Sequence, residues 1–146
     1  MAGYSGTPLP KKLGIKERSR VFLAKVPADV HSELKAAFAA CQVSKTARGP
    51  LDFAMLFVKS RAELQARFAL LAAELAPAGM LWVSWPKKAS GIASDLDENE
   101  VRRIGLAAGL VDIKVCAVNE TWSGLKFVIP VAKRSRGRCL PSAMSS

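Results

Sequence analysis

Eight consecutive residues, Leu51–Val58, are apolar apart from Asp52 near their start. A strand with one wet face alternates apolar and polar side chains. A run this continuous belongs instead to a strand buried on both faces, as in parallel sheets covered by helices. Met80-Leu81-Trp82-Val83-Ser84-Trp85, stopped by Pro86, is a second such run, and Val21–Val26, closed by Pro27, is a shorter third. Residues 42–46 form a weaker strand pattern before the turn signal Arg48-Gly49-Pro50.

Helical patterns fill the gaps. Asp29 is placed to cap a helix with Val30, Leu34, Ala37, Phe38 and Cys41 on one face. Ser60-Arg61-Ala62-Glu63 has the form of a capping box, in which hydroxyl and carboxylate satisfy orphan amides reciprocally. Leu64, Phe68, Leu71 and Leu75 follow on one face, and Pro77-Ala78-Gly79 is read as the helix stop. Asp97-Glu98-Asn99-Glu100 opens a third helix, with Val101, Ile104 and Ala108 inward and Gly109 as its C-cap. Ile113–Val118 and Leu125–Ile129 form an antiparallel pair joined by the turn-rich Asn119–Gly124. Strands alternating with helices and ending in a hairpin predict a three-layer, Rossmann-like α/β domain. Its sheet is mainly parallel, with a C-terminal antiparallel hairpin.

With 146 residues, half of them hydrophobic, the chain has the size and core of one domain. No apolar stretch approaches the ~20 residues of a membrane-spanning helix, and residues 1–8 lack the pattern of a secretory signal. Cys41, Cys116 and Cys139 are odd in number, with no C-x-x-C spacing, which points to a reducing cytoplasm rather than a disulfide framework. The net charge of +10 is concentrated at the ends. Residues 1–20 carry +4 through Lys11, Lys12, Lys16, Arg18 and Arg20 against Glu17, and residues 131–146 carry +4 through Lys133, Arg134, Arg136 and Arg138. The expected organisation is a basic irregular arm over 1–20, a single α/β domain over 21–130 and a basic disordered tail over 131–146.

The run from Leu51 through the Ser60-capped helix and Ala76-Pro77-Ala78-Gly79 to Trp85-Pro86 resembles the second half of an S-adenosylmethionine-dependent methyltransferase fold. The last helix and hairpin resemble that fold's terminal helix and antiparallel edge strand. Three stretches are similar to a small bacterial domain-of-unknown-function family (number 3052). They are Gly3–Ile15, Trp85-Pro86-Lys87-Lys88 and Val115–Leu125. Arg18 stands where that family has a turn glycine, and Asn119 where an acid is common. The resemblance covers about residues 3–130 and implies a fold, with no established activity.

S-adenosylmethionine binding in such a fold needs a glycine turn after the first strand and an acid after the second. No glycine lies between Gly14 and Gly49 and no acid between Glu33 and Asp52, while Pro27 removes an amide donor from the first turn. No cofactor is therefore expected. The main reading is a non-catalytic domain binding a small anionic ligand or a macromolecular partner. The other is a degenerate or divergent methyltransferase relative. Ligands in open α/β sheets bind beyond the strands' carboxyl ends where strand order reverses. There Lys59 and Ser60, at a helix entrance, with Lys87 and Lys88, are candidates for an anion. Ser60 serves equally as a simple cap. Glu120 and Trp122 are candidates because a turn has no need of tryptophan, although Trp122 can also fold back onto the core. Lys133, Arg134, Arg136 and Arg138 are candidate phosphate contacts for non-specific nucleic acid, or a solubilising tail. The lone His31 and the scattered cysteines give neither a nucleophilic triad nor a zinc spacing, so no catalytic or metal residue is expected.

Overall fold

The computed structural model describes residues 8–133. Its elements are α1 (Leu9–Leu13), β1 (Arg20–Ala24), α2 (Ala28–Phe38), β2 (Gln42–Ser44), β3 (Leu51–Phe57), α3 (Arg61–Ala73), β4 (Leu75–Pro86), α4 (Glu98–Ala107), β5 (Val111–Ala117) and β6 (Trp122–Val128). The strands form one sheet in the order β2-β1-β3-β4-β6-β5. The first four are mutually parallel, and β6 runs antiparallel to both of its neighbours. This is the mixed α/β, Rossmann-like architecture expected, with the antiparallel pair at one end.

Central β3 explains the layering. Phe53, Met55 and Phe57 point to one face, where they meet Leu9 and Leu13 of α1 and Val30, Leu34 and Phe38 of α2. Ala54, Leu56 and Val58 point to the other, onto Leu64, Phe68 and Leu71 of α3 and Val101 and Ile104 of α4. Both faces are dry, so the strand's continuous apolarity is a direct consequence of its position. No helix among the described residues is long and apolar enough to cross a membrane.

Several local expectations are corrected. The first arm is not wholly irregular: residues 9–13 form α1, closed by Gly14 at φ 80°, with Leu9 and Leu13 buried. Asp29 does not cap α2; Pro27 holds the N-cap position and Asp29 lies in the first turn. α3 ends at Ala73, and Pro77-Ala78-Gly79 belongs to β4, where the register with β3 shifts. Trp122, Ser123 and Gly124 lie within β6 rather than in the turn. Ala108, read as an inward helical residue, is exposed and takes the C-cap position, and Gly109, at φ 96°, stands one residue beyond it. Arg18 adopts φ 66°, a left-handed conformation that glycine takes without steric cost.

Candidate functional site

The strand order reverses between β1 and β3: the chain leaves β1 for β2 on one side and returns to β3 on the other. At the carboxyl ends of these two strands lies a crevice of about 390 Å³, lined by Lys25, Pro27, Phe57, Lys59, Glu63 and Trp122. That is the position at which open α/β sheets bind ligands.

Each wall has a local cause. β1 ends at Ala24 and the next residue, Lys25, takes φ 61°, turning the chain sharply into α2. A left-handed conformation at a non-glycine residue is uncommon and costs about 1 kcal/mol or more. Lys25 Nζ then reaches across the mouth to Glu63 Oε2 at 2.5 Å. Phe57, the last residue of β3, packs edge-on against Trp122 at a centroid separation of 4.9 Å and an interplanar angle of 75°. Trp122 is buried in the core, and its ring also lines the crevice.

The start of α3 forms the polar wall. Ser60 Oγ accepts the Glu63 amide at 3.1 Å, as a capping box requires. The reciprocal bond is displaced by one residue: Glu63 Oε1 accepts the amide of Lys59, at 3.2 Å, rather than that of Ser60. The Arg61 amide donates to Asp95 Oδ1 at 2.6 Å. These three amides are thus engaged by the chain's own oxygens and Lys25 by the Glu63 carboxylate, so attraction for an anion falls first to the Lys59 ammonium and to Lys25 only as a charge shared with Glu63. Burial pushes the Glu63 carboxyl up. The hydrogen bond and charge of Lys25, the Lys59 amide and Arg67 more than offset it, holding the carboxyl below its usual range. The stabilisation from this depressed carboxyl is present above its unfolded pKa and is lost as pH falls through the folded one.

The other sequence candidates are scattered. Lys87 is half-buried and Lys88 exposed around the short turn Lys88–Ser90, and neither lines the crevice. Glu120 is exposed and turns away from Trp122, joining Asp29, Glu33, Asn119 and Thr121 around a separate acidic hollow. Asn119 shapes that turn: its Oδ1 accepts the amides of Thr121 and Trp122 at 2.8 and 2.9 Å, and its Nδ2 donates to Asp29 Oδ2 at 3.3 Å. An acid at position 119 keeps the first two bonds and sets two carboxylates against each other in the third. Lys133 bonds the Gly109 carbonyl at 3.4 Å, and Arg134, Arg136 and Arg138 lie outside the described residues. No group of three or more metal-ligating side chains occurs among the described residues.

Lys25, Phe57 and Glu63 are the crevice residues that sequence reading did not single out. Lys25 had one usable signal, its place directly after an apolar strand. Glu63 had none, because capping accounts for it fully.

Ser84 is the one buried polar side chain among the described residues without a hydrogen-bond partner. It lies in register with Phe57 and Gly124, on the Trp122 side of the sheet. An unsatisfied buried hydroxyl costs about 1–3 kcal/mol. Ser84→Ala is accordingly expected to raise the unfolding free energy by about 1 kcal/mol in urea melts. A loss of stability would mean that the hydroxyl is bonded.

No protein-family model matches the chain, and no curated protein matches it in sequence. Solved structures do match in fold. An S-adenosylmethionine-dependent methyltransferase from Aquifex aeolicus aligns with a TM-score of 0.56 at 17% identity, over 82% of this chain and 87% of the other. Magnesium protoporphyrin IX methyltransferase from Synechocystis, with bound S-adenosylmethionine, gives 0.54 at 12% identity, over 84% and 74%. A structure described as a putative methyltransferase from Thermoplasma acidophilum gives 0.52 at 9%, over 86% and 75%. The chain has a methyltransferase-like fold; identities this low carry the fold alone. The crevice residues do not fit S-adenosylmethionine as that fold ordinarily holds it. A lysine side chain crosses the first turn where backbone must approach the ligand, and Lys45, rather than an acid, follows β2.

Proposed function

We propose that this chain is a divergent relative of the S-adenosylmethionine-dependent methyltransferases that keeps the fold's crevice as a binding site for a small anionic ligand with a flat ring. The observation that carries this is the left-handed turn at Lys25. The backbone makes at the end of β1 the sharp turn a glycine makes in nucleotide-binding folds, while the side chain brings a positive charge to the crevice mouth. In this reading a ligand carboxylate or phosphate lies between Lys25 and Lys59, and its ring rests on Phe57 and Trp122. Membership of the bacterial family numbered 3052 and residence in the cytoplasm are part of the same proposal. The first rests on the stretches Gly3–Ile15 and Val115–Leu125, the second on free Cys41 and Cys116.

The test is a thermal-shift screen with S-adenosylmethionine, S-adenosylhomocysteine, nucleoside monophosphates and aromatic carboxylates. A ligand present at about 100 times its Kd adds about 2.7 kcal/mol, several degrees in midpoint. Nucleotides or aromatic carboxylates are expected to stabilise the chain and S-adenosylmethionine is not. Lys59→Gln is expected to weaken binding about tenfold, or ~1.4 kcal/mol, without changing the melt of the free protein. A shift with S-adenosylmethionine, competed by S-adenosylhomocysteine, would replace this reading with methyl transfer proper.

A further inference from the structure

The lysines of the first arm do not stand apart from the domain. α1 docks on the sheet through Leu9, Leu13 and the bond from Trp82 Nε1 to the Leu13 carbonyl at 2.9 Å. Docking brings Lys12 and Lys16 against the hairpin. Lys12 Nζ donates to the Ala117 carbonyl at 3.2 Å, and Lys114 Nζ donates to the Lys12 carbonyl at 2.8 Å. Lys114 and Lys126 are directly opposed across β5 and β6. Lys126 is half-buried, and burial together with the charges of Lys114 and Lys16 pulls its ammonium below the usual lysine range.

Like charges opposed on neighbouring strands are destabilising. Here two lysines face each other, a third adds its charge, and none of Lys16, Lys114 and Lys126 takes part in an ion pair among the described residues. The carbonyls at the end of α1 accept part of this charge, but a five-residue helix offers at most a fraction of one negative charge to the three of Lys16, Lys114 and Lys126. Repulsion retained at a stability cost calls for an external anion.

We propose that Lys12, Lys16, Lys114 and Lys126 form a docking face for the phosphate backbone of a nucleic acid. Two features favour that partner. The charges extend over α1, the segment after it and the hairpin, as a backbone-tracking surface requires. All four residues are lysines, point charges that need no fixed geometry at the oxygens they meet, which suits sequence-independent contact with a phosphate backbone. This face is independent of the crevice, which lies at the carboxyl ends of β1 and β3.

The full chain is titrated with labelled oligothymidylate and with a DNA duplex between about 50 and 200 mM salt. The variant Lys16→Gln/Lys114→Gln/Lys126→Gln is compared with Lys35→Gln/Lys45→Gln/Lys88→Gln, which removes the same charge from exposed lysines elsewhere. The first is expected to flatten the slope of log affinity against log salt by about 2 on single strands, at ~0.7 per lost phosphate contact. The control set leaves it unchanged. The melting midpoint of the first is expected to hold or rise, because repulsion is relieved. If that variant folds poorly, Lys16→Gln and Lys126→Gln alone each flatten the slope by about 0.7. Unchanged slopes, or equal losses in both sets, would overturn the proposal. So would polyglutamate displacing the oligonucleotide at equal charge, which would assign the face to an acidic protein.

Discussion

Trp82→Ala is expected to lower the unfolding free energy by about 3–5 kcal/mol, the usual cost of truncating a buried tryptophan. Trp82 is fully buried in the middle of β4 and touches three parts of the chain. Its Nε1 donates to the Leu13 carbonyl at 2.9 Å, fixing the end of α1. Gly124 on β6 makes room for its ring, since a Cβ there would come within 3.2 Å of Trp82 Cε3. On its own face it shares a cluster with Phe53, Met55 and Phe57. Trp82→Phe separates the terms: it retains most of the apolar bulk but leaves the Leu13 carbonyl without its donor, so a smaller loss of about 1–3 kcal/mol is expected. Urea melts followed by circular dichroism measure both. A cost for Trp82→Phe below about 0.5 kcal/mol, the range of surface substitutions, would show that this bond does not hold α1.

The central strands were legible because burial on both faces leaves a mark that no other position leaves. Leu51–Val58 has that mark, and the helices flanking it have side-chain spacings that match their one packed face. α1 was hidden for the opposite reason. Five residues, one of them a proline and preceded by another, carry too little periodicity to stand out, and the charge of the segment draws attention away from Leu9 and Leu13. The start of β4 was hidden by coincidence. Leu75 lies four residues beyond Leu71 and continues the helical face, yet Glu74 ends the helix and Leu75 pairs with Leu51. Gly79, read as a stop signal, serves a close approach: a Cβ there would lie 2.4 Å from the Leu51 carbonyl oxygen, where the two strands shift register.

The candidate site was half legible for reasons of the same kind. Lys59 and Trp122 could be found because one follows a buried strand and the other is too large for a turn. Lys25 and Glu63 could not. Their contact spans 38 residues of sequence and depends on a backbone conformation that lysine rarely adopts. Glu120 and Trp122 are near neighbours in the chain, and sequence proximity grouped them. The Asn119 turn separates them, sending one to the acidic hollow and the other into the crevice.

Gly105→Ala reverses the ordinary rule for helices. Alanine is favoured over glycine by about 1 kcal/mol in a helix interior, so sequence alone marks Gly105, inside α4, as a place to gain stability. The packing opposes it. A Cβ at 105 would lie 2.1 Å from Phe127 Cε1 and 2.4 Å from its Cζ, far inside any real contact. The ring has little freedom to retreat: Phe127 is fully buried and stands edge-on to Phe68 at 5.1 Å and 85°. Overpacking of a filled core costs about 1–3 kcal/mol and occasionally more. An overlap this deep belongs at the upper end, so a net loss of about 2 kcal/mol is expected after the helical gain. The cause is then tested in a cycle with Phe127→Leu. Shortening the ring creates space of its own and destabilises the chain alone, but it also removes the atoms that a new methyl meets. In the Phe127→Leu background, Gly105→Ala is expected to become neutral or stabilising, a coupling of about 2 kcal/mol, within the range seen for residues in contact. Additive effects in that cycle would place the cost elsewhere and would mean that α4 does not lie this close to β6.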